Sequence, residues 1–197
     1  MEKYVLGADI GSGSVKLTLL SSEGKIRTSA GCEYPTYYPK VGWSEQDPED
    51  WKKAFRSALT DLKKRADIQA DQIEAVAVDA ATHTAVLMDE EKKVLRRAIL
   101  WTDQRSAEEA EFLREEYGKL IREQVQNEPT NVWTLPQMIW LRENEPETWS
   151  RIRYILFAKD YLRFCMTGIM ETDTIYAMRS MFYNAEKENW SPELCRI

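Results

Sequence analysis

The sequence predicts an α/β or α+β domain, not a helical bundle. Two patterns carry that expectation: strand periodicity at the start of the chain, then helical and strand patterns mixed to its end. Composition agrees. Hydrophobic residues make up 43% and charged residues 30% of the 197, the balance of a globular chain rather than a disordered one. No internal repeat and no low-complexity linker interrupts the pattern.

Residues 4–9, 14–20 and 25–34 read as three sequential strands. In the second, Val15, Leu17 and Leu19 alternate with Ser14, Lys16 and Thr18, the period of a half-buried strand. Ser21-Ser22-Glu23-Gly24 is a turn signal, so the three form a meander. Pro35 and Pro39 bracket a loop. Asp47 caps the first helix, Pro48 suits its first position, and Glu49 and Asp50 favour its positive N-terminus. Trp51, Ala54, Phe55, Ala58, Leu59 and Leu62 follow at helical spacing. The apolar run from Ile73 to Val78 ends in Asp79, and a strand at 84–88 leads into the turn Asp89-Glu90-Glu91-Lys92. Helical patterns return at 106–126, 134–144 and 159–167, and Gly168 is placed to end the last. At the C-terminus Ser191, Pro192 and Glu193 begin a helix by local rules, yet little chain follows. Isolated helices under ~12 residues are marginal, so the expectation is the front part of a longer protein, with a frayed tail as the alternative.

Charge and cysteine content narrow the function classes. The net charge is -6 and the pI about 5.1, so the electrostatic attraction that drives nucleic-acid binding is absent. Cys32, Cys165 and Cys195 are far apart and form no C-x-x-C pair, which argues against a disulfide framework or zinc site and fits a reducing cytoplasm. No apolar run approaches the ~18 residues of a membrane span. The start, MEKYVLGADIG, lacks the pattern of a secretory leader.

The chemistry is concentrated in YVLGADIGSGSVKLTLL, residues 4–20. Gly11 and Gly13 would let the turn visit positive φ and let backbone N–H groups approach an anion. Asp9, at a strand end, is suited to hold Mg²⁺ directly or through water. Lys16 would offset phosphate charge. A tight hairpin with an exposed acid and lysine explains the same residues. The stretch is neither a Walker loop nor a dinucleotide fingerprint: G-x-x-x-x-G-K-[ST] is absent, and a strand rather than a helix follows.

Four later segments decide between these readings. GWSEQDPEDW (42–51), AILWTDQRS (98–106), WLRENEPE (140–147) and KDYLRFCMTG (159–168) occur in this order behind the hairpin. Together they closely resemble the FGGY family of carbohydrate kinases, and within it the xylulose kinases, over essentially the whole chain. The hairpin is similar to the family's first phosphate motif, Asp-x-Gly-(Thr/Ser)-x-x-x-Lys, with Asp9, Gly11, Ser12 and Lys16 in the matching places. The resemblance implies an α/β domain of the ribonuclease H-like type found in actin and hexokinase, with a mixed sheet incomplete at its C-terminal end. It implies one N-terminal domain over 1–197, truncated before the catalytic-base loop and the second domain.

It further implies an ATP- and Mg²⁺-dependent, cytoplasmic kinase for a pentulose-type sugar such as xylulose, with a homodimer of the full-length protein left open and no nucleic-acid or membrane partner. Asp9 would position Mg²⁺; Gly11, Ser12 and Lys16 would contact nucleotide phosphates. Trp101, Asp103 and Arg105 match the family's Trp-x-Asp-x-Arg and would line the sugar site with His83. Simpler roles stand beside these: Trp101 as core, Asp103 with Arg105 as a surface ion pair, His83 as a satisfied structural histidine. Trp43, Trp133 and Trp140 are assigned to packing.

This sequence also departs from the family. Ala81 and Thr82 replace the Gln and Met before the histidine, and Gln137 stands where the family has a lysine. The usual Thr-Asp-x-Ser stretch reads Thr172-Asp173-Thr174-Ile175. No Gly-Asp loop carrying the family's base follows Trp190, so no catalytic residue is assigned, and Asp79 is not promoted to that role. A non-catalytic sugar-binding or regulatory module is the alternative reading.

Overall fold

The computed structural model describes residues 2–197. Along the chain run β1 (Tyr4–Ile10), β2 (Ser14–Ser21), β3 (Ile26–Glu33), β4 (Glu45–Gln46), α1 (Pro48–Ala66), β5 (Ile73–Ala80), β6 (Ala85–Met88) and β7 (Ala98–Ile99). Then follow α2 (Ala107–Val125), α3 (Thr134–Asn144), α4 (Pro146–Arg151), β8 (Tyr154–Phe157), α5 (Ala158–Thr167), α6 (Thr174–Arg179), β9 (Tyr183–Asn184) and β10 (Asn189–Trp190). The mixed α/β class is the one expected. The chain divides into two units, residues 2–36, 47–81 and 158–169 forming the first and 37–46, 82–157 and 170–197 the second.

The first unit is built on a mixed sheet in the order β3-β2-β1-β5. The meander pairs antiparallel, and β5 joins β1 in parallel. The alternation of β2 sets the inner face: Val15, Leu17 and Leu19 are fully buried, as are Leu6 and Ile10 of β1. α1 covers β2 and β3. It starts where its chemistry says, with the Asp47 carboxylate accepting the Glu49 N–H at 2.9 Å and Pro48 opening the first turn. Its buried stripe is Trp51, Ala54, Phe55, Ala58 and Leu62. Burying each of the large side chains contributes roughly 1.5–3 kcal/mol. α5 packs on β5 and ends at Gly168, whose φ of 74° and N–H bond to Phe164 O at 2.7 Å form a left-handed cap.

The second unit holds three short antiparallel pairs, β4 with β7, β6 with β8, and β9 with β10. One core joins Leu113 and Ile121 of α2 to Trp133, Leu135, Ile139 and Met181. Another joins Ala85 and Leu87 of β6 to Met138, Trp140 and Leu141 of α3. β8 and the two-residue strands were not in the sequence expectation, nor were α4 and α6. A four-residue apolar run such as Tyr154 to Phe157 carries too little periodicity to separate from the helix it precedes. Ser191 does cap as expected, accepting the Leu194 N–H at 3.2 Å, but a single 3₁₀ turn (Leu194–Arg196) follows. Among the described residues no helix is long and apolar enough to cross a membrane.

Candidate functional site

In the first unit the β1–β2 turn is closed by the Gly11 N–H to Ser14 O at 3.0 Å. Tyr34, just past the end of β3, braces it: its N–H donates to Gly13 O at 3.1 Å and its hydroxyl donates to Gly11 O. Burial first, and the Asp9 charge second, push the Tyr34 phenol well above its ordinary range, so it stays a donor. The glycines do not act as expected. The positive-φ glycines are Gly24, Gly42 and Gly168, not Gly11 or Gly13. What the two turn glycines supply is room. A Cβ on Gly13 would meet nothing within 4 Å, and one on Gly11 would sit 3.4 Å from Ser14 O and 3.9 Å from the Asp9 carboxylate oxygens. The turn is bare backbone beside an acid, with Ser12 exposed at its tip.

Strand register gathers the charges. Asp9 lies opposite Lys16 across the β1–β2 pair and level with Asp79 across the β1–β5 pair. With Gly7, Thr18 and Ala77 they line a cavity of 420 Å³. Lys16 is exposed and makes no ion pair among the described residues. Among those residues no cluster of three or more His, Cys, Asp or Glu could cage a metal. Two neighbouring carboxylates nonetheless suit Mg²⁺, which takes hard oxygens and is usually held by one or two carboxylates with phosphate oxygens and water completing its shell.

The second unit contains His83, Trp101, Asp103 and Arg105, and two of the simpler roles fail there. Trp101 is 45% exposed, so it is not core. Asp103 and Arg105 are 1% and 9% exposed, so they are not a surface pair. The Asp103 carboxylate is saturated. Oδ2 accepts the Ser44 N–H at 2.6 Å and Arg105 Nη2 at 2.8 Å; Oδ1 accepts the Arg105 N–H at 2.8 Å and Nε at 2.9 Å. Its backbone oxygen accepts Asn131 Nδ2 at 2.6 Å. Asp103 thus has no lone pair left for a ligand.

Arg105 lies 3.8 Å from the Trp43 ring centroid and 5.1 Å from that of Trp140. Its Nη1 group is buried without a hydrogen-bond partner. The tryptophans assigned to packing therefore also form the aromatic seat of the arginine.

His83 is buried, and its ring meets Trp133 edge-on at 4.4 Å. Its φ of 64° is a left-handed conformation that costs a residue of this type about 1–3 kcal/mol. Burial, then the Arg179 charge, lower its pKa to about 4, so the imidazole is neutral at pH 7. Nδ1 has no hydrogen-bond partner among the described residues. His83 is bonded to neither Asp103 nor Arg105, so the structure joins only the last two of the four directly.

Glu45, Arg96 and Asn131 were missed by the sequence reading. Glu45 pairs with Arg105 at 2.8 Å and also with Arg96, whose Nη1 reaches Glu145 Oε1 at 2.7 Å. The one signal was Glu45 within GWSEQDPEDW; nothing in sequence spacing links residues 45, 96 and 145.

Residues 4–197 match the model of the FGGY family of carbohydrate kinases, N-terminal domain. The chain is 35% identical over 193 residues to a xylulose kinase of Bacillus subtilis (strain 168), covering 98% of this chain and 39% of that one. It is 33% identical over 202 residues to a glycerol kinase of Thermococcus gammatolerans, covering all of this chain and 41% of the relative. A crystal structure of a xyloylose kinase from Brucella ovis superposes with a TM-score of 0.92 at 34% identity, over 97% of this chain and 39% of that one. The chain thus spans about two fifths of the length of the relatives it matches.

Proposed function

This chain belongs to the FGGY family of carbohydrate kinases, whose N-terminal domain it matches, and from that premise we propose that it is the sugar-binding domain of an ATP-dependent, cytoplasmic pentulose kinase. The observation that carries the sugar site is a pair of buried nitrogens, His83 Nδ1 and Arg105 Nη1, without hydrogen-bond partners among the described residues. A buried polar atom left unpaired costs about 1–3 kcal/mol, and the hydroxyl and carbonyl oxygens of a ketose are groups that would satisfy both. Exposed Trp101 offers a ring face to the sugar carbons.

Asp9, with Asp79 level beside it, would hold Mg²⁺, which would neutralise charge on the phosphates. Lys16 would meet the phosphate oxygens by charge and Gly13 by N–H donation, with the Gly11 N–H holding the turn on Ser14 O and Ser12 at its tip. Neither Asp79, exposed at a strand end, nor Asp103, saturated by donors, is assigned as the base that takes the sugar proton. The reading takes the base, and the rest of the nucleotide site, from residues outside this chain.

Calorimetric titration of the chain with D-xylulose, D-ribulose, glycerol and gluconate tests the site, and ADP release with ATP and Mg²⁺ tests the chemistry. Ketopentose binding without sugar-dependent ADP release is expected. Folded protein that binds none of the panel would remove the sugar-site reading. Sugar-dependent turnover would place the base within these residues.

A further inference from the structure

A guanidinium carries five N–H donors. In Arg105 three face acceptors: Nε donates to Asp103 Oδ1 at 2.9 Å, and Nη2 donates to Asp103 Oδ2 and stands in ion-pair contact with Glu45 Oε1, each at 2.8 Å. Both remaining donors are on buried, unpartnered Nη1. Glu45 Oε1 also accepts from Arg96 Nη2, and Arg96 extends its other arm to Glu145. The Glu45 backbone is held as well. It pairs with Ile99 across β4–β7, and it exchanges hydrogen bonds with Tyr37 at 2.8 and 2.9 Å.

We infer that Glu45 and Arg96 are positioning residues of the sugar site, holding the Arg105 guanidinium in the one orientation that leaves its Nη1 group for a ligand oxygen. The inference rests on the sugar-site reading of Arg105. Asp103 alone sets the guanidinium plane but leaves three donors competing for the ligand, one on Nη2 and two on Nη1. Glu45 holds the Nη2 side by its charge, in ion-pair contact at 2.8 Å. Without Arg96, the Glu45 carboxylate would be free to turn from Nη2 to Nη1 and quench it. Arg96 prevents this by binding the same oxygen and tethering the pair to Glu145. Lysine at 96 keeps the charge but loses the fork that spans two carboxylates.

The test titrates wild type, Arg96→Lys, Arg105→Lys and the double variant with D-xylulose and D-ribulose, with near-UV circular dichroism as the check on folding. Loss of one charge-assisted hydrogen bond predicts about a tenfold weaker Kd for each single variant. Because Arg96 acts only through Arg105, the double variant is expected to bind no more weakly than Arg105→Lys. Wild-type affinity in Arg96→Lys, or additive losses in the double variant, would overturn the positioning role while leaving the site. No binding by wild type would overturn the site and the inference with it.

A measurement on unmodified protein stands beside the variants. In ¹⁵N-NMR spectra, ketose is expected to shift the Arg105 Nη1 resonance and leave Nε in place. A shift confined to Nε, or none in a protein that binds the sugar, overturns the proposal.

Discussion

Asp103→Asn changes one atom in a buried carboxylate, and its cost follows from the geometry. Asn Oδ1 can still accept the two Arg105 donors that Asp103 Oδ1 takes, the N–H at 2.8 Å and Nε at 2.9 Å. The new amide NH₂ then faces the Ser44 N–H and Arg105 Nη2, which lie 2.6 and 2.8 Å from the present Oδ2. Two accepted bonds become donor-to-donor contacts. Arg105, with its side chain fully buried, is left with Glu45, which it shares with Arg96. Each hydrogen bond to a charged group is worth about 1.5–3 kcal/mol, and breaking a buried ion pair costs about 3–5 kcal/mol. These describe the same loss from two sides, so the expected destabilisation is about 4 kcal/mol. Urea unfolding at pH 7, followed by tryptophan fluorescence, reads it. At a slope of roughly 2 kcal/mol/M the midpoint falls by roughly 2 M with the slope unchanged. A loss below about 1 kcal/mol would mean that water compensates Asp103 in solution and that the closed network is not the folded state.

Three further outcomes follow from the same structure. Trp101→Ala, at a 45% exposed position, is expected to change stability by under about 0.5 kcal/mol while weakening ketose binding measured by calorimetry; a large stability loss with unchanged binding would return Trp101 to the core. Asp47→Ala removes the bond to the Glu49 N–H and is expected to cost about 1 kcal/mol in urea unfolding, with Asp47→Asn recovering most of it. His83 has a folded pKa lowered to about 4 by burial and Arg179, below its ordinary 6.5. The unfolded chain therefore binds a proton between these values that the folded chain does not. Stability from His83 is full above about pH 6.5 and falls as pH drops toward 4, and His83→Gln should flatten the urea-midpoint profile in that window; equal slopes in the two proteins would contradict the burial of the ring.

Local chemistry was legible wherever one segment supplies its own partners. The alternation of Val15, Leu17 and Leu19 marks the buried face of β2, and Asp47-Pro48 marks the start of α1, because a strand's period and a helix's first turn are decided within a few residues. The Asp9-x-Gly11 hairpin was found the same way, whereas Trp101, Asp103 and Arg105 were found by their match to the family's Trp-x-Asp-x-Arg. The role of the turn glycines was not legible, since φ depends on how Tyr34 braces the turn from just past the end of another strand.

Tertiary structure alone decided what the site residues do. Sequence spacing could not separate a surface pair from a buried one at Asp103 and Arg105, because burial depends on Trp43, Trp140 and Glu45, brought from distant segments. Nor could it set Asp79 level with Asp9, since parallel strands meet only after a crossover has closed. The sequence determines which groups can form bonds and which short elements present them. Which donors are consumed, and which are left unpartnered among the described residues as Arg105 Nη1 is, depends on neighbours that only the folded chain assembles.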